Sequence, residues 1–123
     1  MKKILLVEPD RVLGNIYLRS LIIAKNECLL VTNAEDAIHA IDSFKPDVII
    51  LEIQLVEHSG IELIYEIRSY REFKNIRLII LSGVNNDSFN TNRRLFRDEL
   101  GVDKYFYKPH TQLIELNNYI KSL

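Results

Sequence analysis

Four short apolar runs, Ile4–Val7, Cys28–Val31, Val48–Leu51 and Leu78–Leu81, divide the chain, and three of them are almost continuously apolar instead of alternating. A strand with one wet face alternates. A strand that is apolar at every position must be covered on both sides, which is the condition of a parallel sheet between two helical layers. A fifth and more aromatic run stands at Tyr105–Tyr107.

The segments between the runs carry a different period. Leu13, Ile16, Tyr17 and Leu21 recur at helical spacing, as do Ala34, Ala37, Ile38 and Ile41, and then Leu63, Ile64 and Ile67. Apolar residues at a period of 3.6 mark helices that lay one stripe on a core. Phe89, Phe96 and Leu100 form a weaker fourth stripe, and Leu113, Leu116, Ile120 and Leu123 a fifth. Start signals agree with these divisions. Asn33 is a good N-cap, Ser59-Gly60-Ile61-Glu62 reads as a capping box, and Thr111 is placed to cap the last helix. Strands alternating with helices through short connections imply right-handed crossovers. The expected fold is therefore α/β: a doubly wound, five-stranded parallel sheet with five helices, flavodoxin-like, in a single domain over residues 1–123. In such a sheet the ligand site lies at the carboxyl ends of the strands.

Composition excludes several classes of function. With 47% apolar and 27% charged residues the chain is neither disordered nor fibrous. A formal net charge of −1 gives no overall field to attract a phosphate backbone, so direct nucleic-acid binding is not expected. The apolar runs are far shorter than the ~20 residues of a membrane span. Met1-Lys2-Lys3 followed by Ile4–Val7 has the basic start of a signal peptide, but the run stops at Glu8 and reads as a first strand. Cys28 is the only cysteine, which leaves no internal disulfide or thiolate cluster and fits a cytoplasmic setting.

The residues just after the strands are chemically coherent. The first strand delivers Glu8-Pro9-Asp10, the third Glu52, the fourth Ser82-Gly83 and the fifth Lys108-Pro109. Carboxylates, a hydroxyl and a lysine would converge on one crevice. In order and spacing these residues resemble the receiver domain of two-component response regulators, over essentially the whole chain. Val48 to Leu63 resembles the phosphoacceptor strand and loop of that family, with Gly60 eight places after the acceptor position. Ser82 matches the Thr/Ser position, Tyr105 the switch aromatic, and Lys108-Pro109 the lysine followed by a proline, a bond usually cis in the family.

The resemblance implies a mechanism that this sequence breaks. In the family an acid pair holds Mg²⁺, an aspartate takes the phosphoryl group, and the hydroxyl and lysine bind its oxygens. Here the acceptor position is Glu52 and the acid pair is Glu8-Pro9, whose second member has no side-chain oxygen. Mg²⁺ demands near-octahedral oxygen ligands, so only a weak residual site at Glu8 and Glu52 is expected, with no other cofactor. Phosphoryl transfer depends on positioning and charge neutralisation and should suffer with it. Val56 replaces a family proline, and the segment between Ser82 and Lys108 is a few residues longer than usual, which points to a displaced fourth helix.

Each residue also has a plainer reading. Glu52 could pair with Lys108 and place a fixed negative charge where a phosphoryl group would sit, or form an ion pair that only maintains the fold. Asp10 could supply a metal oxygen, but directly before a helical stripe it reads better as an N-cap. Glu8 and Ser82 are expected in the crevice. Tyr105 could turn inward as a switch or be an ordinary half-buried strand residue. Arg93, Arg94 and Arg97, with Lys104 nearby, read as a solvated helix face with an Arg94–Asp98 pair. His39, His58 and His110 lack metal spacing and read as surface residues.

The leading expectation is a noncatalytic receiver-like module that acts through a protein partner, such as a histidine kinase or a downstream signalling protein. Homodimerisation through the fourth helix, fifth strand and fifth helix is a further expectation. The main alternative is a working phosphorelay receiver that accepts a phosphoryl group at Glu52 or Asp10. A flavodoxin-like cofactor enzyme would need a phosphate cradle after the first strand, and Glu8 to Leu13 has no glycine and two acids. Direct DNA binding would need an output domain and is not expected of this domain alone.

Overall fold

The computed structural model describes residues 1–123, with the side chain of Ser88 outside the described set. Five strands, β1 (Lys3–Val7), β2 (Glu27–Val31), β3 (Val48–Leu51), β4 (Arg77–Ser82) and β5 (Val102–Tyr107), form one sheet in the order β2-β1-β3-β4-β5. All neighbouring pairs are parallel. The run pattern has its physical cause here. The three inner strands are covered on both faces: Ile4 to Val7, Val48 to Leu51 and Leu78 to Leu81 are buried. The edge strand β2 is only half covered, and Leu29 stays 37% exposed.

Five α-helices flank the sheet: α1 (Arg11–Ile23), α2 (Ala34–Phe44), α3 (Gly60–Ser69), α4 (Asp87–Thr91) and α5 (Leu113–Ser122). The core divides into two layers. Leu5, Val7, Ile49, Leu51 and Ile80 pack with Ala37, Ile41, Leu63, Ile64 and Ile67 on one face. Ile4, Leu6, Ile50 and Ile79 pack with Tyr17, Leu21, Leu116 and Ile120 on the other. At ~25 cal/mol per Å² of apolar area removed from water, these two layers are the dominant source of stability.

Several local expectations need correction. Ile16 is 48% exposed, and Gly14 instead is buried on that part of α1, its space bounded by the Leu30 side chain. The last helix is capped by Gln112, not Thr111. Gln112 and Glu115 form a reciprocal capping box, while the Thr111 hydroxyl donates to the Tyr107 carbonyl at 2.7 Å. Ser59 does cap α3, accepting from Ile61 N at 3.1 Å, and Asn33 caps α2, accepting from Asp36 N at 2.8 Å. The Lys108–Pro109 peptide bond is trans.

The fourth helical segment is the irregular one. After the short α4 comes a π-helical stretch, Arg94–Glu99, closed by Leu100 N donating to Leu95 O at 2.9 Å. A π-turn spaces contacts at i, i+5, which takes Asp98 out of register with Arg94. Among the described ion pairs no Arg94–Asp98 contact forms. Phe89, Phe96 and Leu100 are nevertheless buried, as their stripe predicts.

Candidate functional site

The carboxyl ends of β1, β3, β4 and β5 bring Glu8, Glu52, Ser82 and Lys108 into contact. Register explains the convergence: Val7 pairs with Leu51, Leu51 with Ile80, and Ser82 with Tyr107, so the residues just beyond the strands share one rim. Glu8, Glu52 and Ser82 are 3%, 5% and 0% exposed. Such buried polar groups persist only when their hydrogen-bonding capacity is met.

Here it is met by a closed cluster. Lys108 Nζ donates to Glu8 Oε1 at 2.5 Å and to Glu52 Oε1 at 2.8 Å, so one ammonium bridges two carboxylates. Gly83 N donates to Glu52 Oε1 at 3.1 Å. The Ser82 hydroxyl donates to Glu52 Oε2, as does Gln54 N at 3.0 Å. The second oxygen of Glu8 accepts from Asp10 N at 3.1 Å. Burial by itself would raise the Glu52 pKa, but the hydrogen bonds from Lys108, Ser82, Gln54 and Gly83 outweigh it and hold the carboxyl below its ordinary value. Burial likewise disfavours the Lys108 cation, yet Glu52 and Glu8 reverse the balance and raise its pKa. The pair is therefore an ion pair at neutral pH.

Asp10 does not line this pocket. Its carboxylate is exposed and accepts from Leu13 N at 3.1 Å, which caps α1. Gly60 closes the loop after Glu52, where Gln54 and Ser59 form an antiparallel bridge. A Cβ at Gly60 would stand 2.4 Å from the Ile53 Cα, so no other residue fits without moving backbone. Tyr105 is turned inward: its ring lies 5.3 Å from that of Phe89, and its hydroxyl donates to Val84 O at 2.5 Å. Because Val84 N donates to the Ser82 hydroxyl oxygen at 3.0 Å, one polar path runs from Glu52 through Ser82 and Val84 to Tyr105. The arginines Arg93, Arg94 and Arg97 are exposed, as are His39, His58 and His110.

Two features escaped sequence reasoning. One is that Lys108 spans both acids, since spacing along the chain places residues on a rim without saying which oxygen a flexible lysine reaches. The other is Arg68, whose partners are backbone carbonyls and leave no trace in side-chain identity.

The donor set does not fit an octahedral divalent cation. Mg²⁺ needs oxygen ligands at ~2.0–2.1 Å. Pro9 offers none, Asp10 is engaged as a cap, and all four oxygens of Glu8 and Glu52 already accept hydrogen bonds. Among the described residues no group of three or more His, Cys, Asp or Glu side chains is placed to hold a metal.

With the fold and this rim established, comparison with known proteins identifies the class. The family model of the response regulator receiver domain matches residues 4–121, and the chain belongs to that family. It is thus a signalling domain of the two-component type. A segment of 68 residues, 55% of the chain, is 34% identical to the response regulator protein GraR of Staphylococcus aureus, and the chain spans about a quarter (27%) of that relative's length. Among solved structures, the signal receiver domain of a DNA-binding response regulator (merR) from Colwellia psychrerythraea 34H is similar with a TM-score of 0.84 and 25% identity, over 98% of this chain and 95% of that one. The chemotaxis response regulator CheY4 of Vibrio cholerae shares the fold with a TM-score of 0.84 at 18% identity, covering 99% of this chain and 98% of that one. No helix among the described residues is long and apolar enough to cross a membrane.

Proposed function

We propose that this receiver domain signals without taking a phosphoryl group, by presenting one fixed conformation to a protein partner. The observation that carries the reading is the state of Glu52. Its carboxylate stands at the family's acceptor position and is already bound by Lys108, Ser82, Gln54 and Gly83. An acyl phosphate would bring more charge and more oxygens, but the hydroxyl and the lysine that would receive them are here occupied by the unmodified side chain. The polar path to Tyr105 supports an inward aromatic held without modification. The partner would be a kinase-related or downstream signalling protein in the cytoplasm. A second copy of the chain through α4, β5 and α5 is a further arrangement in keeping with the family.

The test is direct. Incubation with Mg²⁺ and acetyl phosphate, followed by intact mass, should show no added phosphoryl group while a conventional receiver labels in parallel. An adduct mapped to Glu52 or Asp10 would return the domain to an ordinary phosphorelay.

A further inference from the structure

One helix of this fold is apolar on both of its faces. α1 buries Gly14, Tyr17 and Leu21, yet Val12, Ile16 and Ile23 line its outer side at helical spacing, with Val12 74% and Ile23 80% exposed. A helix that is apolar all round is normally covered all round. Beside it, α5 packs on the same face of the sheet through Leu116 and Ile120 and leaves Ile114 63% exposed. With Ile22 and Leu113, these side chains are more than half of the large apolar residues left exposed among the described residues. Such grouping on one layer marks a surface that meets a partner. We infer that the α1–α5 face docks on an anionic phospholipid surface, its aliphatic side chains entering the outer acyl region and a lysine-lined groove between the helices taking a headgroup. The inference is independent of Glu52 and concerns where the domain sits, not how it signals.

Charge selects this occupant. α1 carries Arg11 and Arg19 and no acid, while the one acid of α5, Glu115, accepts from Gln112 N at 3.2 Å. Lys2, Lys25 and Lys121 line a groove of ≈ 770 Å³ between the two helices. The opposite layer has the reverse sign. α2 holds Glu35, Asp36 and Asp42 without a lysine or arginine, and α3 holds Glu62 and Glu66, its Arg68 donating to backbone carbonyls. A negatively charged membrane therefore attracts the α1–α5 side and repels the other, which orients the domain as it arrives. A second copy on the same face would set one basic rim against another.

The groove has the chemistry of a headgroup site. Asn117 Nδ2 donates to Ser20 Oγ at 2.6 Å, whereas Asn117 Oδ1 is covered from water and accepts no hydrogen bond. A covered acceptor without a donor is destabilising, and a hydroxyl from a ligand would relieve it. The three ammonium groups suit a phosphodiester, and the walls supplied by Ala24, Leu113 and Ile114 suit the glycerol and the start of the acyl chains. Phosphatidylglycerol brings both the anion and the hydroxyls. An interfacial helix buries its apolar side at the boundary of headgroups and acyl chains while its cations meet the phosphates, which is the division of residues found here.

The experiment mixes the full chain with vesicles of phosphatidylcholine alone, or of phosphatidylcholine with phosphatidylglycerol, and measures the bound fraction by sedimentation. The expected result is binding to the mixed vesicles only, weakening as salt rises. Ile23→Asp/Ile114→Asp should weaken it at least ~10-fold, because two apolar anchors would then enter the interface charged. Lys25→Gln/Lys121→Gln should also weaken it ~10-fold or more, from the loss of two cations at an anionic surface. All four side chains are exposed, so these variants should melt as the wild type does. Tyr65→Asp, on the opposite layer, should bind like the wild type. Absence of binding to either vesicle would overturn the inference, as would equal binding to both, or binding that survives Ile23→Asp/Ile114→Asp. Glycerol 1-phosphate held as tightly as the mixed vesicles would assign the groove to a soluble phosphate ester and overturn the membrane assignment. A lipid-free dimer that Ile23→Asp/Ile114→Asp dissociates would put a second copy on the face and likewise overturn it. Phosphoryl labelling reports on Glu52 and sedimentation on this face, so each reading can fail alone.

Discussion

Two half-buried cations stand near opposite ends of the sheet and are satisfied in opposite ways. Lys108, at the carboxyl end, is held by two full negative charges. Arg68, near the end of α3, donates to five backbone carbonyls: Leu100 at 2.9 Å, Phe73 at 3.0 Å, Lys74 at 3.3 Å, Ile76 at 2.9 Å and Gly101 at 3.0 Å. The planar guanidinium fork suits such a fan of acceptors, whereas an ammonium is a point charge. Arg68 thus ties α3 to the segments entering β4 and β5, and burial lowers its pKa because dipoles compensate a charge less completely than carboxylates do. The contrast separates a stitch from a site. A cation bound by carbonyls can only hold the chain in place, while one bound by carboxylates sits in a field that a ligand could enter.

The largest expected effect breaks the lysine side of this comparison. Lys108→Met in metal-free buffer should cost ~3–5 kcal/mol, the penalty of leaving buried charge unpaired, and Lys108→Met/Glu52→Gln should recover part of it because it removes one of the two stranded charges. Urea denaturation of the single and double variants checks both values; equal stability of the two would mean that electrostatic repulsion is not the cause. Arg68→Ala should come next, at ~2–4 kcal/mol, from several lost charge-assisted hydrogen bonds whose carbonyls water can partly reach. No second charge change should rescue it, which a parallel denaturation series on Arg68→Ala/Asp103→Asn would show.

The smallest effect sharpens the comparison through pH. Glu52 titrates lower in the folded state than in the unfolded chain, so the native protein binds fewer protons than the unfolded one in the acid range. Its contribution is complete above the unfolded carboxyl value of ~4.3 and is lost as pH falls through the folded value. Wild type and Arg68→Ala should share this acid loss. Lys108→Met, whose carboxylates repel each other, should show a shallower loss on acidification, read from melting temperatures between neutral and acid pH.

Much of this architecture was legible in the residues. The inner strands β1, β3 and β4 declared themselves because a strand covered on both faces has no position at which a polar residue is free. Glu8, Glu52, Ser82 and Lys108 were legible as a group because a parallel sheet places every strand's carboxyl end on one rim. Ile16 misled because helical period identifies a stripe but not which member turns toward the neighbouring strand, here Gly14 against Leu30 of β2. The α4 region was read as a weak stripe on a displaced fourth helix, and the short α4 followed by a π-helical stretch was not foreseen, since a period of 3.6 does not distinguish an α-helix from one that widens partway.

By itself, then, the sequence determined a five-stranded parallel fold, a family and a rim of four named polar residues, because period and strand-end position are properties of order along the chain. Tertiary structure decided how those residues are wired: one lysine across two acids, Asp10 used as a cap, Tyr105 turned inward. These are choices among partners all within reach, and they are settled by burial, which compels each polar atom to find whichever donor or acceptor the completed packing leaves beside it.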